Sequence, residues 1–161
     1  MLYGGAVGGA KTASLLLAAL QFVDVPGYAA LLLRRTYPEL TKARSLIPLA
    51  QEWLANTDAE WNEQKKTYRF PLSGATVEFG HMEHEKDKYN FDTASYQYIA
   101  FDELASFTKS QYIHVEATRL RKPTGMLVPL RIRSGSNPRG AGSAWIKQRF
   151  IVEGRAKGRV F

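Results

Sequence analysis

A glycine-rich segment near the amino terminus ends in a lysine and a threonine, a pairing suited to binding phosphate and a metal ion. It reads Gly-Gly-Ala-Val-Gly-Gly-Ala-Lys-Thr over residues 4–12. Glycines allow successive backbone N–H groups to turn toward one anion, and the positive end of a following helix faces that anion. Lys11 would reach the β- and γ-phosphates of a nucleotide, and the Thr12 hydroxyl would hold Mg²⁺.

The match to the phosphate-loop pattern G-x-x-x-x-G-K-[ST] has one departure. Alanine stands at the position of the second glycine, where a methyl group crowds a tight turn. A glycine-rich turn that caps an ordinary helix, with the lysine in solvent, is the alternative. The predicted nucleotide-binding residues are Gly5, Gly8, Gly9, Ala10, Lys11 and Thr12.

Two adjacent carboxylates, Asp102 and Glu103, follow the apolar segment of residues 98–101. A buried strand rarely ends in unpaired charge, because such burial is costly. We predict that Asp102 ligates Mg²⁺, usually through water, and that Glu103 is the general base for an attacking water. Alternatively, both acids begin the next loop or cap the helix before Phe107.

A second predicted strand also ends in small polar residues, Ser134, Gly135, Ser136 and Asn137. The Asn137 amide can sense a γ-phosphate or orient water, which makes it a further catalytic candidate. Asn-Pro is also a common turn pair. The turn interpretation is favoured when this segment is considered alone.

Helices and strands alternate along the chain. Periodicity and turn signals predict helices over residues 11–23, 46–54, 109–120 and 143–150. Strands are predicted over 29–33, 96–101 and 127–133, with a hairpin of 67–70 and 76–79 around a turn at 73–74. Such alternation predicts an α/β fold with a mainly parallel sheet between helices. We expect the hairpin to be an excursion from that sheet.

Composition indicates one globular domain: 161 residues, 45% of them hydrophobic and none of them cysteine. The longest apolar run, six residues, is far short of the roughly 20 that a membrane helix requires. The net charge of +7 is uneven, since residues 119–161 hold eleven Lys or Arg and one acid. This asymmetry favours a polyanionic partner, although a solvated basic face or pairing with acids of another domain is the alternative.

Together these segments resemble the large terminase subunits of tailed bacteriophages. Residues 33–40, Leu-Arg-Arg-Thr-Tyr-Pro-Glu-Leu, and residues 145–150 are the most particular to that family. Further matches, in the family's order and spacing, are residues 3–6, 11–12, 98–104, 119–121 and 136–138. The resemblance therefore covers nearly the whole chain.

The resemblance implies the ATPase domain of a DNA-packaging motor, with a RecA-like (ASCE) P-loop NTPase core. The glycine-rich loop would be its Walker A motif, the two carboxylates its Walker B motif, and residues 134–137 the motif that couples γ-phosphate loss to DNA movement. The implied substrate is ATP and the implied cofactor is Mg²⁺. The implied partners are double-stranded DNA, a small terminase subunit, the portal of the prohead and further copies in a homo-oligomeric ring. The implied location is the host cytoplasm, without a membrane.

The chain departs from the family pattern at both ends. The family places an adenine-contacting segment before the phosphate loop and a nuclease domain after the ATPase. Only three residues precede the glycine-rich segment, and residues 1–161 leave no room for a nuclease domain. We therefore expect one terminase-like ATPase domain that is a fragment or a truncated prophage remnant, and no DNA cleavage.

The arginine that the family supplies to a neighbouring subunit has no obvious counterpart. No arginine lies between Arg69 and Arg119. Lys86 or Lys88 would be an imperfect substitute, because an ammonium lacks the planar fork of guanidinium. The remaining candidates for this trans-acting role or for DNA contact are Arg119, Arg121 and Arg139.

Two other functions are weighed against the packaging motor. A helicase or recombinase of the same NTPase class would separate strands or form filaments, but does not account for residues 33–40. A truncated, catalytically inactive nucleotide- or DNA-binding module would bind ATP and Mg²⁺ without turnover.

Overall fold

A seven-stranded sheet forms the centre of the chain in a computed structural model that describes residues 1–4, 10–137 and 142–156. The strand order is β1-β7-β6-β2-β5-β4-β3. The strands are β1 (Leu2–Gly4), β2 (Ala29–Arg34), β3 (Glu60–Asn62), β4 (Thr67–Arg69), β5 (Thr76–His81), β6 (Tyr98–Phe101) and β7 (Arg131–Ser136). Neighbouring strands among β1, β7, β6, β2 and β5 pair in parallel. The pairs β5–β4 and β4–β3 are antiparallel.

Helices cover both faces of the sheet. The α-helices are α1 (Ala10–Leu20), α2 (Tyr37–Thr41), α3 (Leu46–Leu54), α4 (Lys109–Arg119), α5 (Ser143–Ile146) and α6 (Glu153–Ala156). Two 3₁₀-helices span Glu85–Phe91 and Leu104–Ser106, and a π-helical segment spans Lys147–Val152. None of the helices among the described residues is long and apolar enough to cross a membrane.

Strand β2 shows why the sheet is buried on both faces. Its side chains alternate, as the two-residue period of a strand requires. Ala30 and Leu32 pack into the core shared with α1 and α3, whereas Leu31 and Leu33 pack into the core shared with α4 and α5. All four residues are fully buried. The continuous apolar run in the sequence therefore corresponds to a parallel strand between two helical layers.

The α/β fold with a mainly parallel sheet, predicted from the sequence, is confirmed. The hairpin of β4 and β5 is also present, but the prediction that it leaves the sheet is wrong. Strand β5 pairs in parallel with the whole length of β2. Its burial pattern explains this placement, because Val77 and Phe79 belong to the core on the α1 side. The hairpin thus widens the sheet and carries β3 at its edge.

Strand β7 differs most from its prediction over residues 127–133. It begins at Arg131 and continues to Ser136, so the polar segment lies within the strand. Leu127 is 93% exposed in the preceding loop. Pairing with β6 on one side and β1 on the other overrides the low strand propensity of serine and glycine. The short β1 was not predicted, and the helix predicted over 143–150 continues as the π-helical segment.

Candidate active site

Several of the predicted catalytic and metal-binding residues lie at the carboxyl ends of the parallel strands, along one edge of the sheet. Thr12 stands in the first turn of α1, which follows β1, and Asp102 directly follows β6. The Thr12 hydroxyl donates to Asp102 Oδ2 at 2.9 Å, although 90 residues separate them. Strand β7 lies between β1 and β6. The two segments therefore meet across an intervening strand.

Strand β7 has a glycine, Gly135, at the place where the two segments meet. A Cβ atom built on Gly135 would lie 3.4 Å from Asp102 Oδ1 and 3.5 Å from Lys11 Cβ. Beyond the end of β7, Lys11 Nζ donates to Asn137 Oδ1 at 3.0 Å. The structure thus brings Lys11, Thr12, Asp102 and Asn137 together around one position at the sheet edge.

Asp102 is 2% exposed, and its charge is offset by Arg34 at the end of β2. Arg34 Nε and NH2 lie 2.8 and 2.7 Å from Asp102 Oδ2. A buried carboxylate is tolerated only when it is paired and hydrogen-bonded. Arg34 NH1 also lies 3.8 Å from Glu103 Oε1. One guanidinium therefore faces both carboxylates.

Glu103 has the opposite environment from its neighbour. Its side chain is 51% exposed, and its backbone is left-handed, with φ 61° and ψ 56°. This conformation costs a non-glycine residue about 1–2 kcal/mol and is found disproportionately at functional sites. The Glu103 carboxylate is therefore accessible to solvent, whereas that of Asp102 is buried.

The oxygens of Thr12 and Asp102 suit a small divalent cation. The Thr12 hydroxyl oxygen and Asp102 Oδ2 lie 2.9 Å apart, so both are within reach of one ion. Hydroxyl and carboxylate oxygens are also the hard ligands that Mg²⁺ prefers. These two residues therefore fit the metal that the sequence predicts.

The remaining candidate residues are dispersed. Ser134 and Ser136 are buried within β7. Arg119 is also buried and pairs with Asp92, and Arg121 donates to Ser95 Oγ at 2.6 Å. Both arginines adjoin the beginning of β6, because their backbones bond to Tyr96. Neither is at the edge that holds Asp102. Gly5, Gly8, Gly9 and Arg139 lie outside the described residues.

The two candidate lysines lie at the same sheet edge as Asp102, on the 3₁₀-helix that follows β5. Lys86 is exposed. Lys88 donates to Glu85 Oε1 at 2.8 Å and to Ser110 Oγ at 2.7 Å. In the described structure Lys88 is thus committed to contacts within the chain, which makes Lys86 the better placed of the two for a neighbouring molecule.

Sequence reasoning did not assign a role to Arg34. It stands within the Leu-Arg-Arg-Thr-Tyr-Pro-Glu-Leu stretch, immediately after a predicted buried strand. A charged residue at the end of a buried strand indicates a candidate site residue, and the same pattern identified Asp102. Its partner could not be inferred, because the order of β2 and β6 in the sheet is a long-range property.

Among solved structures, the chain is similar to two DNA-packaging proteins of bacteriophages. The large terminase of a thermophilic bacteriophage superposes with a TM-score of 0.74 and 13% sequence identity over 99% of this chain and 38% of that one. The same terminase in complex with ATP-γ-S gives a TM-score of 0.70, with 12% identity over 99% of this chain and 37% of that one.

The N-terminal domain of the DNA packaging ATPase from bacteriophage phi29 gives a TM-score of 0.56 at 16% identity, over 84% of this chain and 71% of that one. No protein-family model matches the sequence, and no curated protein matches it. The chain thus has the fold of phage large-terminase ATPase domains and spans well under half the length of the thermophilic phage's terminase.

Proposed function

We propose that this chain is the ATP-hydrolysing motor domain of a phage terminase large subunit, which drives viral DNA into the prohead. The hydrogen bond between Thr12 and Asp102 is the observation on which this proposal depends. It joins the predicted phosphate loop to the predicted acidic strand end at one edge of the sheet. The fold that the chain shares with phage packaging proteins supports the same function.

The proposed roles follow from the position of each side chain. Lys11 and the loop amides would hold the β- and γ-phosphates, and the oxygens of Thr12 and Asp102 would hold Mg²⁺. The metal, when bound, would offset negative charge on the transferred phosphoryl group. Glu103 would accept the proton of the attacking water, and its exposed side chain leaves room for that water. Catalysis would arise mainly from positioning and charge compensation.

Asn137 would report the state of the γ-phosphate. Its amide oxygen accepts from Lys11, the residue that would also contact that phosphate. A lysine ammonium has three donors, so departure of the phosphate changes the contacts available to both residues. Movement of Asn137 would pass into β7 through Ser136 and Gly135. We propose residues 134–137 as the coupling segment.

The proposed partners are those of a packaging motor. They are double-stranded DNA, a small terminase subunit, the portal and further copies of the chain in a ring. The charge of residues 119–161 supports a polyanionic partner. An arginine from a neighbouring copy would complete the site. Arg121 and Arg139 remain candidates for it, with Lys86 as a substitute, whereas Arg119 is buried.

Substitution of Glu103 tests the proposed base. We expect Glu103→Gln to lower the ATP turnover number at least 100-fold, since general base catalysis contributes about 10²–10⁴-fold. ATP binding, measured by calorimetry, should stay within threefold. The measurement is steady-state phosphate release by the full-length subunit with Mg²⁺ and linear DNA.

Glu52→Gln is the matched control, because Glu52 is exposed on α3. It should retain full turnover. Equal turnover in the two variants would eliminate the base role of Glu103. A wild-type chain that binds ATP without hydrolysing it would instead support the inactive module.

A further inference from the structure

Gln111, near the start of α4, is fully buried. Its Oε1 accepts from the backbone N–H of Thr108 at 3.0 Å and from Arg35 NH1 at 3.2 Å. Its Nε2 donates to the carbonyl oxygens of His84 at 2.9 Å and Met82 at 3.3 Å. Four hydrogen bonds therefore use the full capacity of the side-chain amide.

Helix capping explains only one of these four bonds. Gln111 and Thr108 form a reciprocal capping box, in which Gln111 N also donates to Thr108 Oγ1 at 3.1 Å. A capping box leaves the amide nitrogen unused and does not require burial. In this chain the nitrogen reaches the segment that follows β5, and the oxygen also reaches the segment that follows β2. Gln111 thus ties three connections together at the edge that holds the candidate site.

Two of the contacts fix the backbone that carries Arg34. Arg35 is its immediate neighbour, and the Met82 N–H donates to the Arg34 carbonyl at 3.3 Å. Gln111 holds both the Arg35 side chain and the Met82 carbonyl. The backbone that carries the Arg34 guanidinium is therefore linked to Gln111 through Arg35 and through Met82.

Another contact fixes the loop that begins at Glu103. The 3₁₀-helix Leu104–Ser106 follows directly, and the Ser106 N–H donates to the Glu103 carbonyl at 2.9 Å. Two residues later, the Thr108 N–H donates to Gln111. The loop is consequently held at its start by its own turn and at its end by Gln111.

We propose that Gln111 is a positioning residue for ATP hydrolysis, which sets Arg34 and Glu103 relative to Asp102. This inference rests on the proposed function. Gln111 acts through the two loops and does not touch the reacting atoms. Its loss should lower kcat more than it weakens ATP binding, because binding depends on Lys11 and Thr12 of α1.

Gln97 offers a matched control at the opposite edge of the same sheet. It is 1% exposed, its Oε1 accepts from the Ala29 N–H at 2.8 Å, and its Nε2 donates to the Arg121 carbonyl at 2.9 Å. Gln111→Leu and Gln97→Leu therefore each remove an equally buried side-chain amide, with four hydrogen bonds described at Gln111 and two at Gln97. Both should lower the melting temperature, but only the first should disturb the candidate site.

The test compares these variants in steady-state ATP hydrolysis with Mg²⁺. We expect Gln111→Leu to lower kcat at least tenfold, about 1.4 kcal/mol in activation free energy, with the KM for ATP within threefold. Gln111→Glu, which keeps the acceptor for Thr108 and Arg35, should recover part of the loss. Gln97→Leu should keep kcat within twofold of wild type. Equal kcat in folded Gln111→Leu and Gln97→Leu would overturn the proposal.

Two further measurements keep the proposal testable if Gln111→Leu does not fold or if the wild type lacks turnover. Arg35→Met removes one of the four bonds on a half-buried side chain and should lower kcat in the same direction; wild-type kcat would contradict the proposal. Amide hydrogen exchange over residues 34–37 and 103–108 should be faster in Gln111→Leu or Arg35→Met than in Gln97→Leu. Unchanged exchange would overturn the positioning role even without ATP turnover, whereas absent wild-type turnover alone counts against the proposed function.

Discussion

Adjacent residues at the end of β6 occupy opposite environments. Asp102 is buried and accepts hydrogen bonds from Thr12 and Arg34, whereas Glu103 turns outward in a left-handed conformation. Burial with fixed partners suits a residue that holds a metal in one place, and exposure suits a residue that meets water. The two proposed roles thus follow from local geometry that separates otherwise similar carboxylates.

The left-handed backbone of Glu103 predicts a conflict between stability and activity. Glycine adopts positive φ without the steric cost of a Cβ atom. We expect Glu103→Gly to have a free energy of unfolding about 1 kcal/mol higher than Glu103→Ala, while both lose turnover. Urea denaturation of the two variants measures the difference. A more stable alanine variant would show that the conformation is not strained.

At the scale of elements, the connection between β5 and β6 packs closely on the sheet. A Cβ atom on Gly80 of β5 would lie 2.7 and 2.8 Å from ring atoms of Phe91, at the end of the 3₁₀-helix, and 3.1 Å from Leu33 Cδ2. Such distances force neighbouring atoms to move. Glycine at this position therefore permits the helix to lie against the strand, which in turn places Met82 and His84 beside Gln111.

This contact predicts that Gly80→Ala lowers the free energy of unfolding by about 1–3 kcal/mol, the usual cost of overpacking a core. Adding Phe91→Leu should recover part of that loss, because the smaller side chain removes the clashing ring. Thermal denaturation of the single and double variants measures both effects. Gly4→Ala is the comparison, since among the described residues, chain neighbours aside, no atom lies within 4 Å of the added Cβ. A loss no larger at Gly80 than at Gly4 would contradict the prediction.

At the scale of the whole molecule, the basic carboxyl-terminal third is partly neutralised within the chain. Arg119 pairs with Asp92, and Arg149 pairs with Glu116 and stacks on Tyr112. These two arginines therefore pair with acids of the same chain, not with acids of another domain as the sequence-based alternative supposed. Residues that remain for contact with a polyanion are fewer than the sequence count of eleven implies.

Glu78, a half-buried acid of β5, hydrogen-bonds to Tyr96, which precedes β6, and makes the stability of the whole fold depend on pH. Tyr96 donates to Glu78 Oε2 at 2.6 Å, and burial raises the pKa of Glu78 above its ordinary value of 4.5, a shift that the Tyr96 hydrogen bond reduces. The folded state therefore keeps a proton that the unfolded state releases. The free energy of unfolding therefore falls as the pH rises from the ordinary value of 4.5 through the raised pKa.

We expect Glu78→Gln to gain stability relative to wild type as pH increases, because a neutral amide can still accept from Tyr96 and has no charge to bury. Urea denaturation at about pH 4 and about pH 8 should give a larger difference at the higher pH. Glu52→Gln, at an exposed position, should show little change. If the difference in stability between Glu78→Gln and wild type did not change with pH, the pKa of Glu78 would be the same in the folded and unfolded states.

Local patterns in the sequence predicted the candidate site residues and most of the elements. Strongly periodic or apolar segments identified β2, α3 and α4 within a few residues, because local patterning reflects which faces are buried. The sequence also indicated the residue types at the candidate site. They are a glycine-rich loop with Lys11 and Thr12, two acids after one strand, and Asn137 after another strand.

How these segments meet follows from the order of the strands in the sheet. Strand β7 lies between β1 and β6, and β5 lies within the sheet. Pairing on both sides also makes the serine and glycine residues 134–136 part of a strand. Strand order also gave Arg34 its partner 68 residues away and gave Gln111 its four bonds. Such contacts depend on pairing between remote segments, whereas periodicity reports only whether a residue faces a core. A buried glutamine or an arginine at a strand end therefore acquires its role from neighbours that its local sequence does not specify.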